Sequence, residues 1–89
     1  MRTSMNQPRT SASVPINGAT VRHLRVMNGH GVTGLARELG CTPAYVSRIE
    51  SGRAKRVSPS MFAKLRTVLA VTDPRVLMAF PDIESVTVG

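Results

Sequence analysis

The sequence predicts an all-α fold of five short helices, with an N-terminal arm before them and a short C-terminal tail after them. Three observations carry that expectation. A capping residue followed by proline occurs at Thr42-Pro43, Ser58-Pro59 and Asp73-Pro74. Each pair suits a helix start, because the side-chain oxygen accepts from a first-turn N–H and proline has no N–H to leave unsatisfied. Asn28-Gly29-His30-Gly31, Gly40 and Gly52 break the pattern where a helix needs a C-cap or turn. Between the breaks, apolar residues recur at helical spacing.

Residues 1–16 are rich in Ser, Thr, Pro, Asn and Gln and have no helical apolar period, which predicts a flexible arm. Asn17 caps a first helix over Ala19–Asn28, with Val21, Leu24 and Asn28 on one stripe and Arg22 and Arg25 beside it. A second helix, Val32–Leu39, puts Leu35, Ala36 and Leu39 inward and ends at Gly40. The third, Pro43–Ser51, buries Val46 and Ile49 and closes at Gly52. Residues 52–57 (GRAKRV) read as a basic turn. The fourth helix, opened by Ser58-Pro59, has Met61, Phe62, Leu65, Val68 and Leu69 as its apolar face. The fifth, Arg75–Phe80, is closed by Pro81. Residues 82–89 alternate weakly and suit either a strand or a frayed end. The domain expected is 17–80, with an arm at 1–16 and a tail at 81–89.

Composition narrows the function. The 89 residues carry 12 Lys+Arg against 5 Asp+Glu, a net charge of +7, and the pI is near 11.4. Ten of the twelve basic residues are arginine, and the first acid is Glu38. All the positive excess lies in residues 1–70; residues 71–89 hold three acids and one base. A basic domain with a mildly acidic end suits a polyanionic partner. No apolar run approaches the ~18 residues needed to cross a bilayer. The N-terminus lacks the apolar core of a secretory signal, so a cytoplasmic protein is expected. Cys41 is the single cysteine, which excludes an internal disulfide framework; it reads as a buried structural thiol. His23, His30 and Cys41 have no metal-ligand spacing, and the acids are too few for paired-carboxylate catalysis. No enzymatic activity, cofactor or metal is expected.

The spacing Leu35-Ala36-x-x-Leu39-Gly40-x-Thr42-x-x-x-Val46-x-x-Ile49 joins two helices through a three-residue turn. Ala36 is small where the helices cross, and Gly40 tolerates the positive φ of the turn. This is the helix-turn-helix pattern, whose second helix enters the DNA major groove. A tight αα-hairpin in a small bundle is the plainer alternative. Over residues 17–77 the chain resembles the Xre/Cro–repressor helix-turn-helix family. The residues that carry the likeness are Val21, Leu24-Arg25, Gly29, Leu35-Ala36, Leu39-Gly40, Thr42-Pro43, Tyr45-Val46-Ser47-Arg48-Ile49-Glu50, Gly52-Arg53 and Ser58-Pro59. The run TPAYVSRIESG is similar to the family's recognition-helix sequence, and the wording as a whole is similar to small phage-type or actinobacterial members.

The resemblance implies a lambda-repressor-like domain with a division of labour. Thr42, Pro43, Ala44, Ser47 and Arg48, left on the face opposite Val46 and Ile49, would meet base edges. Arg48 is the candidate for direct readout, since a guanidinium bonds both O6 and N7 of guanine; a phosphate contact or plain surface charge is its alternative. Thr33, Tyr45, Ser51, Arg53, Lys55 and Arg56 would meet phosphates, although Tyr45 suits packing against the second helix equally well. Arg25 and Glu50 would form an ion pair tying the first helix to the recognition helix. Two departures from the family pattern concern the second helix. Gly31 and Val32 stand where a hydroxyl cap and a phosphate-binding glutamine are usual, so Thr33 is the substitute donor. Gly34 lies in mid-helix at a cost of ~1 kcal/mol relative to alanine, and suits close approach to DNA.

The function expected is a sequence-specific regulator of transcription that binds double-stranded DNA as a homodimer on a pseudo-palindromic operator. The dimer surface would use Val76, Leu77, Met78 and Phe80, or Val86–Val88 paired as a strand. Arg2 and Arg9 of the arm would reach along the backbone or into the minor groove; an inert disordered arm is the equal alternative. The alternatives are a recombination directionality factor of the excisionase type, or an antitoxin or adaptor that binds a protein through the fifth helix or the tail.

Overall fold

The helices start where the caps put them. In a computed structural model, which describes residues 13–79, four α-helices succeed one another: α1 (Gly18–Met27), α2 (Val32–Leu39), α3 (Pro43–Ser51) and α4 (Pro59–Val68). Asn17 Oδ1 accepts from Thr20 N, Thr42 Oγ1 from Tyr45 N and Ser58 Oγ from Met61 N, each at 3.1 Å. Gly40 (φ +75°) and Gly52 (φ +87°) close α2 and α3 in the left-handed region. Ala70 does the same beyond α4, with φ +58°.

The fold is not all-α, and the fifth helix is not a helix of six residues. Asp73 Oδ1 accepts from Arg75 N at 3.0 Å, but this cap opens only a single 3-10 turn, Pro74–Val76. The chain then leaves helical geometry because tertiary partners hold it elsewhere. Leu77 is fully buried, its carbonyl accepts from Asn17 N at 2.7 Å, and Met78 bridges Ile16. A two-stranded antiparallel ladder pairs β1 (Val14–Pro15) with β2 (Arg56–Val57), extended by Ile16 N donating to Lys55 O at 3.0 Å. Residues 14–16 of the expected arm thus belong to the fold, as does the end of the expected basic turn. Their apolar side chains explain it: Ile16 and Val57 are both nearly inaccessible to solvent. Arg2 and Arg9, Phe80 and the Val86–Val88 tail lie outside the described residues.

The core is filled from all four helices, from β2 and from single residues of the connecting segments. Val21 of α1, Leu35, Ala36 and Leu39 of α2, Val46 and Ile49 of α3, and Phe62 and Leu65 of α4 meet Ile16, Val57, Leu69 and Leu77. Asn28 is exposed rather than part of an inner stripe; its Nδ2 donates to Leu24 O at 2.8 Å and to Leu69 O at 3.4 Å. Cys41 is half-buried, not sealed in the core. Desolvation pushes its thiol pKa up, an effect that Lys64 opposes.

Among the glycines of the described residues, Gly18 is the most closely approached. A Cβ there would collide with the carbonyl oxygen of Ile49, so α1 begins directly against the end of α3. No side chain fits between them.

Candidate nucleic-acid interface

The orientation of α3 comes from its two buried residues. Val46 and Ile49 are three apart and point inward, and at 100° per residue the opposite face is left to solvent. Thr42, Pro43, Ala44, Ser47 and Arg48 are all exposed. The Thr42 hydroxyl oxygen is occupied as a helix cap, which leaves its O–H free to donate outward. Tyr45 is half-buried and packs against the core.

Three contacts fix the turn after α3. Ala54 N donates to Arg48 O at 2.9 Å, Ser51 Oγ donates to the same carbonyl at 3.2 Å, and Arg53 N donates to Ser51 Oγ at 3.4 Å. Ser51 therefore serves the turn, while Arg53 stays exposed. Among the described residues, Lys55 Nζ reaches only Gly52 O, at 3.4 Å. Arg56 is committed to the fold: its Nε donates to Ser13 Oγ at 2.7 Å and its Nη2 to Ser13 O at 2.9 Å. Thr33 is exposed in the first turn of α2, whose cap, Gly31, makes no side-chain hydrogen bond.

Behind this face, Arg25 joins three elements. Its Nε donates to Glu50 Oε2 at 2.7 Å, its Nη2 to Glu50 Oε1 at 3.1 Å, and its Nη1 to His30 O at 3.0 Å. The two side chains are only 12% and 9% exposed. Glu50 raises the pKa of the Arg25 guanidinium, chiefly through the hydrogen bond, while desolvation works the other way. The bidentate fork fixes the rotation of α3 against α1 and pins the α1–α2 loop. It also removes one of the few acids near the basic loop. Among the described residues the other ion pair is Asp73–Arg75, at 2.9 Å, so Arg48, Arg53, Lys55 and Arg56 have no carboxylate partner there.

Sequence reasoning missed Gly18 and the clamp between Arg56 and Ser13. Neither has a local signal, since both partners lie more than thirty residues away.

The sequence profile of the helix-turn-helix domain family matches residues 18–78. The chain belongs to that family. Among solved structures, it is similar to the biofilm master regulator SinR in complex with DNA, at 25% identity and a TM-score of 0.61, covering 66% of this chain and 95% of that one. The restriction-modification controller protein C.AhdI of Aeromonas hydrophila is 34% identical with a TM-score of 0.58, over 66% of this chain and 86% of that one. The clp gene regulator ClgR of Corynebacterium glutamicum is 32% identical with a TM-score of 0.60, and the match spans 66% of this helix-turn-helix chain and 62% of ClgR. No curated protein sequence matches the chain. Among the described residues, no cluster of His, Cys, Asp and Glu could hold a metal, and no helix is long and apolar enough to cross a membrane.

Proposed function

We propose that this helix-turn-helix protein is a sequence-specific transcriptional regulator that binds double-stranded DNA, with α3 in the major groove. One observation carries the reading: the solvent face of α3 offers Ala44, Ser47 and Arg48, and cations without acid partners flank it in the adjoining turn. Arg48 reads a guanine, Ala44 meets a thymine methyl, and Ser47 bonds either edge. Arg53 and Lys55 grip phosphates and set the register, with Tyr45 and Thr33 as further contacts. Ser51 and Arg56 support this surface from behind, because their hydrogen bonds hold the turn and its strand in place.

One such helix reads few base pairs, so a homodimer on half-sites ~34 Å apart supplies the missing specificity. Leu77 cannot serve that interface, being fully buried within one protomer; Val76, 47% exposed, and Met78 remain available. A regulator of this kind works in the cytoplasm.

A footprint on DNA flanking its own gene, run at two salt concentrations, tests the reading. Arg48→Ala should cost about 1–3 kcal/mol and relax preference at one base pair. Lys55→Ala should weaken every sequence alike and lower the salt slope by about one. The reading fails if no duplex is protected at low salt, or if Arg48→Ala weakens all sequences equally.

A further inference from the structure

The turn that carries Arg53 and Lys55 is anchored at both ends, and the two anchors have different origins. At its start Gly52 N donates to Ile49 O at 3.1 Å and Ala54 N to Arg48 O at 2.9 Å, so α3 itself holds the entry. The exit is held by residues that precede α1. Ile16 N donates to Lys55 O at 3.0 Å, Pro15 pairs with Arg56 and Val14 with Val57. At the end of this ladder the Arg56 guanidinium closes on Ser13 as a fork, Nε donating to the hydroxyl at 2.7 Å and Nη2 to the carbonyl at 2.9 Å. The strand so gripped is braced from its other side. Asn17 N donates to Leu77 O at 2.7 Å, Ala79 N to Pro15 O at 3.3 Å, and Ile16 bridges Met78. Burial of Ile16 and Val57 already secures the ladder. What the exposed fork adds is the placement of the strand that leaves the basic turn.

We propose that Ser13 is a positioning residue for the phosphate grip. By holding the Arg56 guanidinium it fixes the exit of the basic turn, and with it the side chains of Arg53 and Lys55. Arg56 acts through this clamp rather than as a phosphate contact. The proposal rests on the DNA-binding reading above.

The test is a double-mutant cycle in the full-length chain, read by duplex titrations at several salt concentrations and by melting. Ser13→Ala removes one prong without changing charge. Arg56→Lys keeps the charge but loses the planar fork. Each should bind every duplex about threefold more weakly than the parent, with no steeper salt dependence, and melt within about 4 °C of it. Together they should do no worse than either alone, because both break one clamp. Ser13→Thr, which keeps the hydroxyl, should bind like the parent. Unchanged affinity of Ser13→Ala overturns the proposal and leaves the DNA-binding reading intact. So does tighter binding with the salt slope steeper by about one, since Ser13 would then be withholding Arg56 from a phosphate. Additive losses, a Ser13→Thr variant as weak as Ser13→Ala, or a larger fall in melting temperature overturn it as well. A parent that binds no duplex at low salt removes the DNA-binding reading and this proposal together.

Discussion

The first turns of α1 and α2 are built from similar residues and do opposite things. Each contains a glycine, at Gly18 and at Gly34, and neither has an acid to satisfy its free amides. At α1 the turn is sealed: Asn17 caps it, Asn17 N is held by Leu77 O, and a Cβ on Gly18 would collide with the Ile49 carbonyl. At α2 the turn is open: Gly31 offers no cap, and a Cβ on Gly34 would meet nothing within 4 Å. A helix start closed by protein atoms serves the fold. One left unsatisfied and uncrowded is suited to an anion from outside. The difference lies in what surrounds each glycine rather than in the glycine itself.

The contrast between the two turns breaks most severely at its sealed end. Gly18→Ala puts a methyl group against backbone, which cannot rotate away as a side chain would. The start of α1 must then lift from α3, at a cost of about 3 kcal/mol or more, at or above the top of the usual range for overpacking. Chemical denaturation should show the midpoint collapsing, or no cooperative transition at all. A loss under about 0.5 kcal/mol, the size of an ordinary surface change, would mean that the close approach does not exist.

The second effect in size concerns the bridge between the two turns. Arg25 holds Glu50 on α3 and the His30 carbonyl just before α2. Glu50→Ala leaves a nearly buried guanidinium with one neutral acceptor, and breaking a buried pair from one side costs about 3 kcal/mol. Removing both partners should cost less than removing Glu50 alone, because no stranded charge remains. Melting of Glu50→Ala and of an Arg25→Met/Glu50→Ala double variant checks this. Equal melting temperatures for parent and Glu50→Ala would show that the pair contributes nothing.

Much of this was legible in the chain because it is local. Thr42-Pro43 and Ser58-Pro59 act within one helical turn, and Val46 with Ile49 determines which face of α3 is left to solvent. What escaped was non-local. Nothing near Val14 or Ile16 indicates pairing with a segment some forty residues on, so these residues read as arm. Leu77 reads as available for a partner because nothing local shows that it is fully buried, with its carbonyl held by Asn17 N sixty residues away. The charge on Arg56 was plain, but charge alone does not reveal that the guanidinium is spent on Ser13. The Arg25–Glu50 pair, 25 positions apart, was suggested by family resemblance alone.

The smallest effect is the one that sharpens the contrast. Gly34 sits in helical geometry with open space around its missing side chain, so alanine there has no clash to suffer and less unfolded-state entropy to lose. Gly34→Ala should therefore stabilise the protein by about 0.4–1 kcal/mol, opposite in sign to Gly18→Ala. If the open turn of α2 meets a phosphate, the added methyl group stands between backbone and DNA, and affinity should fall as stability rises. Paired melting and binding titrations separate the possibilities. Higher stability with weaker binding assigns the glycine to the interface. Higher stability with unchanged binding makes it a tolerated flaw in an otherwise sound helix. Lower stability would contradict the open space itself.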